Sequence, residues 1–203
     1  MNLERELQRR RPHRSFILFP LPGYVACVAI QVEFPDLELQ NKVNTARWTE
    51  ILADPRLAKL PDRIETDRHG HIIMSPPAAP RHSRRQARIA AVLTQLLPEG
   101  VVFTECPIST ADGVKAADVA WLAHGRPEIE EDPVLFTRAP EICVEILSPS
   151  NIQSEIDEKR ALYFDAGATE VWICGTDGSL SYFSPRQLLP ASSICPHFPA
   201  RIS

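Results

Sequence analysis

The stretch Ile142-Cys143-Val144-Glu145-Ile146-Leu147 limits what this chain can fold into more than any other segment. It is apolar at odd and even positions alike, the pattern of a strand buried on both faces. A sheet covered on both sides follows. With helical segments before and after this strand, the fold class is α/β or α+β, a mixed sheet flanked by helices. One carboxylate, Glu145, interrupts the apolar run. Ionised alone inside a buried strand it would cost several kcal/mol, so a cation or a set of donors has to meet it.

The neighbouring segments supply the rest of that sheet. From His82 to Leu97 the residues Ile89, Val92, Leu93, Leu96 and Leu97 recur at helical spacing, and Pro98 and Gly100 end the helix. Val101 to Cys106 and Ala117 to Ala123 read as strands. Ser154 to Ala166 reads as a second helix with the capping-box pattern Ser154-x-x-Asp157 and a stop at Gly167, and Glu170 to Cys174 as a further strand. Upstream, Arg63 to Thr66 and His71 to Met74 flank Asp67-Arg68-His69-Gly70, which predicts a β-hairpin. A short helix is expected over Thr45 to Ala53, an edge strand over Ser179 to Phe183, and an irregular tail from Pro185.

A chain of 203 residues, 44% of them apolar, holds one such domain with appendages. The expected division is an N-terminal extension over 1–44, poorly ordered, a functional domain over 45–183 and the tail over 184–203. In the extension Arg9, Arg10, Arg11 and Arg14 precede the apolar stretch Phe16 to Val32, as in a signal peptide. Pro20, Pro22 and Gly23 break that stretch and it is short for a membrane span, so neither export nor membrane insertion is expected.

Five cysteines, Cys27, Cys106, Cys143, Cys174 and Cys195, show no C-x-x-C spacing, so neither a zinc site nor a disulfide framework is indicated and a reducing cytoplasm is the simplest setting. No glycine-rich phosphate loop and no G-x-S-x-G element occurs, which disfavours nucleotide-cofactor enzymes and serine hydrolases. The formal charge of -4 is not that of a protein that coats nucleic acid. Any nucleic-acid surface must therefore be local. Arg81, Arg84, Arg85 and Arg88 gather at the start of the first long helix and read either as a stripe for phosphates or as an ordinary solvated face.

Asp118 stands in Ala117-Asp118-Val119-Ala120-Trp121-Leu122, a second carboxylate in a strand that otherwise reads as core. Each carboxylate taken alone is equally a salt-bridge partner or a strand-end group in water. Together, on adjacent strands, they make an oxygen-rich site suited to Mg²⁺ or Mn²⁺. Lys159 falls within the apolar arc of Ile156, Leu162, Tyr163 and Ala166, so it points at the sheet or snorkels past it. Pointing inward, it adds to the two ligands a cation that can orient water or offset charge in a transition state.

The pieces Glu145-Ile146-Leu147-Ser148-Pro149-Ser150, Asp157-x-Lys159, Tyr163, Gly167 and Glu170-Val171-Trp172-Ile173 form a combined pattern. With Arg63-Ile64-Glu65, His71 to Pro76, His82 and Asp118-Val119-Ala120, it resembles the "putative restriction endonuclease" family of the PD-(D/E)XK nuclease superfamily, from about Leu60 to Phe183. The resemblance implies a restriction-endonuclease-like core and Mg²⁺-dependent endonuclease cleavage of nucleic-acid phosphodiesters, with DNA the expected substrate and a homodimer left open. Asp118 matches the superfamily aspartate and Glu145 its glutamate, both as metal ligands. Glu65 matches a position acting through a metal-bound water, and His82 one acting by hydrogen bonding. Ala117 replaces the proline of the PD pair, and Leu147 stands at the motif lysine's place, for which Lys159 substitutes. The competing expectation is a catalytically degenerate nuclease-fold module that binds nucleic acid or a protein partner without cutting.

Overall fold

The computed structural model describes residues 13–20, 27–34, 36–149 and 151–202. Of the signal-like segment, Arg9, Arg10, Arg11, Pro22 and Gly23 lie outside the described residues. Strands β1 (His13–Pro20) and β2 (Cys27–Phe34) pair antiparallel. Helix α1 spans Leu37–Ala53 and so begins well before the expected Thr45. Asp36 caps it, accepting from the backbone N–H of Glu38 at 3.0 Å and of Leu39 at 3.3 Å. Its first turns hide from hydrophobic periodicity because the buried face carries Gln40 and Asn44. Both amides are spent on tertiary contacts: Gln40 donates to Arg68 O at 2.9 Å, and Asn44 to Ser109 Oγ at 2.8 Å and Thr110 O at 2.9 Å.

The predicted hairpin is present as β3 (Arg63–Thr66) and β4 (Ile72–Ser75). Helix α2 (Pro80–Leu96) follows, then the long antiparallel pair β5 (Val101–Thr110) and β6 (Gly113–Leu122). These strands extend past the expected Cys106 and Ala117; the added positions of β6, Gly113, Val114, Lys115 and Ala116, are all buried but carry no alternating apolar pattern. After a short helix α3 (Glu128–Glu131) come β7 (Ile142–Ile146), α4 (Gln153–Asp165), β8 (Glu170–Cys174), β9 (Leu180–Phe183) and β10 (Leu188–Leu189). The central sheet runs β10-β9-β8-β7-β6-β5, and β7 and β8 are its parallel pair, joined through α4. The capping box at Ser154 is not made: α4 starts from Ile152 with no side-chain cap, and Gly167 ends it at φ +104° as expected.

Alternation along β7 divides the core. Val144 and Ile146 face α2, where Ile89, Leu93, Val119 and Trp172 are fully buried. Cys143 and Glu145 face α4, beside Ala120, Tyr163 and Ile173. The tail is not wholly irregular: it supplies β10, which pairs with β9 and takes the sheet edge expected of Ser179 to Phe183. Beyond β10 it packs inward, since Cys195, Phe198 and Ile202 are buried in the core. Buried Glu170 fastens it, accepting from Trp172 Nε1 at 2.8 Å, Ser192 Oγ at 2.7 Å and the Ser193 backbone N–H at 2.7 Å.

β7 is only half as long as β6, and β3 docks in the space this leaves. Val114 donates its N–H to Thr66 Oγ1 at 2.9 Å and Ala116 to Glu65 Oε1 at 3.0 Å, so side chains of β3 stand in for the missing ladder. The approach requires Gly113, at φ +86°, where a Cβ would sit 2.4 Å from the Thr66 carbonyl oxygen. Through this junction the hairpin is carried to the middle of the sheet.

Candidate active site

Asp118 lies just past the end of the β6–β7 ladder, opposite a one-residue gap in the β5–β6 ladder. On one side the β6–β7 ladder ends at Val119↔Val144, and the next N–H of β7, that of Ile146, donates to Asp118 Oδ2 at 2.6 Å. On the other side β5 pairs at Thr104↔Val119 and Cys106↔Ala117 but skips Glu105, whose backbone is left-handed at φ +51°. Gln86 of α2 fills that gap, donating to Asp118 O at 2.8 Å and Glu105 Oε1 at 2.7 Å. Four residues before it, His82 reaches Asp118 Oδ2 at 3.2 Å, and Arg63 Nη1 from the hairpin lies 2.6 Å from Oδ1. Burial opposes charge on Asp118, but the His82 hydrogen bond and the Arg63 guanidinium outweigh it and hold the carboxyl below its usual range. The same hydrogen bond raises the His82 pKa.

Glu145 extends from the register position opposite Asp118, on the α4 face. Tyr163 donates its hydroxyl to Oε1 at 2.6 Å and Lys159 Nζ lies 3.5 Å from Oε2. Tyr163 and Lys159 are four residues apart, so one face of α4 presents both. Lys159 Nζ also donates to Glu65 Oε1 at 2.7 Å. Burial pushes Glu145 up to about 7, with Asp118 and Glu65 adding repulsion that Lys159 and Arg63 only partly offset. Glu65 moves the other way: Lys159 and Arg63 overcome its burial and lower it. Lys159 is held protonated against burial by Glu145 and Glu65.

The five residues singled out in the sequence, Glu65, His82, Asp118, Glu145 and Lys159, therefore meet in one cluster. Sequence reasoning missed Gln86, Glu105 and the central place of Arg63, and left Tyr163 without a role. Arg63 was visible only as part of the hairpin pattern, and nothing in the sequence marks the left-handed turn at Glu105. Arg81, Arg84 and Arg88 are exposed on α2, whereas Arg85 is turned inward, 4% exposed. Its guanidinium donates to Gly175 O at 3.0 Å and Thr176 O at 2.8 Å. Arg81 borders a cavity of about 610 Å³ beside the cluster, lined also by Leu147, Ser148, Asn151, Ile156 and Thr176.

Among the described residues no three acidic, histidine or cysteine side chains are already gathered as a metal cluster. The donor chemistry nonetheless fits a small hard cation. Asp118 and Glu145 are carboxylates on facing strand positions, and Glu145 is short of compensating charge as it stands. These two residues would hold the ion. No helix among the described residues is long and apolar enough to cross a membrane.

Residues 53–192, more than half of the chain, match the model of the Uma2 family, described as "Putative restriction endonuclease". A solved structure from Anabaena variabilis, titled a putative nuclease of DUF820, superposes with a TM-score of 0.59 over 77% of this chain and 93% of its own, at 21% identity. At that identity the likeness speaks for the fold. No curated protein matches. The match over residues 53–192, on a mixed sheet whose facing strands carry Asp118 and Glu145, makes this chain a member of the Uma2, "Putative restriction endonuclease", family.

Proposed function

We propose that the protein is a metal-dependent endonuclease that hydrolyses nucleic-acid phosphodiester bonds, with DNA as the principal substrate. The observation that carries this reading is the meeting of Asp118, Glu145 and Lys159 from two adjacent strands and the helix that follows the second. Asp118 and Glu145 would hold Mg²⁺ or Mn²⁺, which when bound would supply a water of lowered pKa and offset charge on the phosphate oxygens. Lys159, anchored between Glu65 and Glu145, orients the attacking water and offsets charge in the transition state. Glu65 fixes Lys159, and His82 fixes the Asp118 carboxylate. Arg81, Arg84 and Arg88 hold the phosphate backbone on the α2 side of the cluster, the local positive charge that the chain of net charge -4 otherwise lacks.

A second reading, a nuclease fold that binds without cutting, draws on one specific observation: both oxygens of Asp118 already accept from protein donors, Arg63 at Oδ1 and Ile146 N–H at Oδ2. Incubating pure protein with plasmid DNA, single-stranded DNA and RNA, in Mg²⁺, Mn²⁺ or EDTA, separates the two. Metal-dependent cleavage supports the enzyme; metal-insensitive binding without products supports the module.

A further inference from the structure

Arg63 brings a permanent positive charge into the middle of the carboxylates. Its Nη1 lies 2.6 Å from Asp118 Oδ1, its Nε 3.3 Å from Glu105 Oε2 and its Nη2 3.6 Å from Glu65 Oε1. Only the first of these is a hydrogen bond. Nε and Nη2 are buried without a hydrogen-bond partner, although an arginine fork pairs readily in two directions wherever carboxylates are placed for it. The guanidinium is therefore held by charge more than by directional fit. It takes the one Asp118 oxygen that no main-chain donor or histidine occupies.

A metal ion on Asp118 would share that carboxylate with the guanidinium, two cations on one anion at close range, which repel each other. Arg63 has a second anchor on the open side of the cluster. Glu105, with its side chain 45% exposed, already sits at ion-pair distance from Nε. The left-handed backbone at Glu105 takes this residue out of the β5–β6 ladder, and Gln86 steadies its carboxylate.

We propose that Arg63 is the resident counter-ion of the metal-free site, a positioning residue that keeps Asp118 in place until a divalent cation displaces it, and that Glu105 is the carboxylate that receives it. This rests on the reading of Asp118 and Glu145 as metal ligands. On loading, Arg63 gives up Asp118 and keeps Glu105. Arg63 and Glu105 thus act on metal affinity in opposite senses, Arg63 by competing for Asp118 and Glu105 by accepting the competitor.

Calorimetric Mg²⁺ titration of the full chain, without nucleic acid, tests this in Arg63→Met, Glu105→Gln and the double variant. Arg63→Met is expected to bind Mg²⁺ about tenfold more tightly, the scale of an ordinary coupling between two ligands of one site. Glu105→Gln is expected to bind several-fold more weakly, and the double variant to match Arg63→Met, since Glu105 acts only through Arg63. In EDTA, Arg63→Met should melt lower than the parent and gain more from added Mg²⁺. Should Arg63→Met not fold, Arg63→Lys and Glu105→Gln keep the test open: lysine should restore the parent's affinity while Glu105→Gln still weakens it. Unchanged or weaker Mg²⁺ binding in Arg63→Met overturns the proposal and leaves the metal site standing. A parent that neither releases heat with Mg²⁺ nor melts higher in it overturns both.

Discussion

The Tyr163 hydroxyl donates a 2.6 Å hydrogen bond to Glu145 Oε1 in the buried space between α4 and β7. A hydrogen bond to a carboxylate favours its charged form, so Tyr163 works against the burial that drives Glu145 up to about 7. Tyr163→Phe should destabilise the protein by about 1.5–3 kcal/mol, the range for a hydrogen bond to a charged group. It should also raise the Glu145 pKa further, so that Mg²⁺ binding weakens near neutrality and recovers at higher pH. Titrations of parent and variant across that range check this; equal loss of affinity at every pH would leave Tyr163 a packing residue.

Above about pH 4.5, the pH dependence of the metal-free protein is set by two groups of the site with the same sign. Glu145 has its pKa raised from 4.5 to about 7, so the folded state holds a proton that the unfolded chain releases earlier. Its stabilising contribution is complete below 4.5 and is lost as pH rises towards 7. His82, raised by its bond to Asp118, adds stability below its ordinary pKa of 6.5 and loses it as pH climbs through the raised value. Thermal melting in EDTA should fall over this window. Glu145→Gln should flatten the fall, and Mg²⁺ affinity of the parent should rise as protons leave Glu145.

The arginines of α2 divide into two kinds. Charge reversal at Arg84 or Arg88 should leave melting within about 0.5 kcal/mol of the parent, as at other exposed positions. It should also weaken nucleic-acid binding and lower the salt slope by about 0.9 for each phosphate no longer neutralised. Arg85→Ala should lower melting instead, because it frees the Gly175 and Thr176 carbonyls. Binding that is unchanged by Arg84 and Arg88 reversal across a salt series would make the stripe an ordinary solvated face.

Much of this fold is legible where a segment carries one strong period. Ile142–Ile146 reads as a doubly covered strand because both of its faces are apolar, and Ile89 and Leu93 fix the buried face of α2. The start of α1 is not legible, since its buried side uses Gln40 and Asn44 and its cap, Asp36, precedes no apolar repeat. The tail reads as loop because what holds it is a set of hydrogen bonds to Glu170 rather than a periodic pattern. Within the site, Asp118, Glu145 and Lys159 could be singled out because each is a charge in an apolar context. Arg63 and Glu105 could not, as they lie on a short hairpin strand and an edge strand where charged residues are ordinary; only the end of the β6–β7 ladder and the one-residue gap at Glu105 give them significance.

The reading stands or falls on single-turnover cleavage measured together with Mg²⁺ titration for Asp118→Asn, Glu145→Gln and Lys159→Met. The two ligand variants keep the shape and remove a ligand charge, so each should fold, bind Mg²⁺ more weakly and lose cleavage. Lys159→Met should keep Mg²⁺ binding while cleavage falls about 100-fold or more, the loss expected when a transition-state cation is removed. The opposite result is equally clear: a parent that cuts nucleic acid in Mg²⁺ and three folded variants that cut as fast as it does would place the chemistry elsewhere in the molecule.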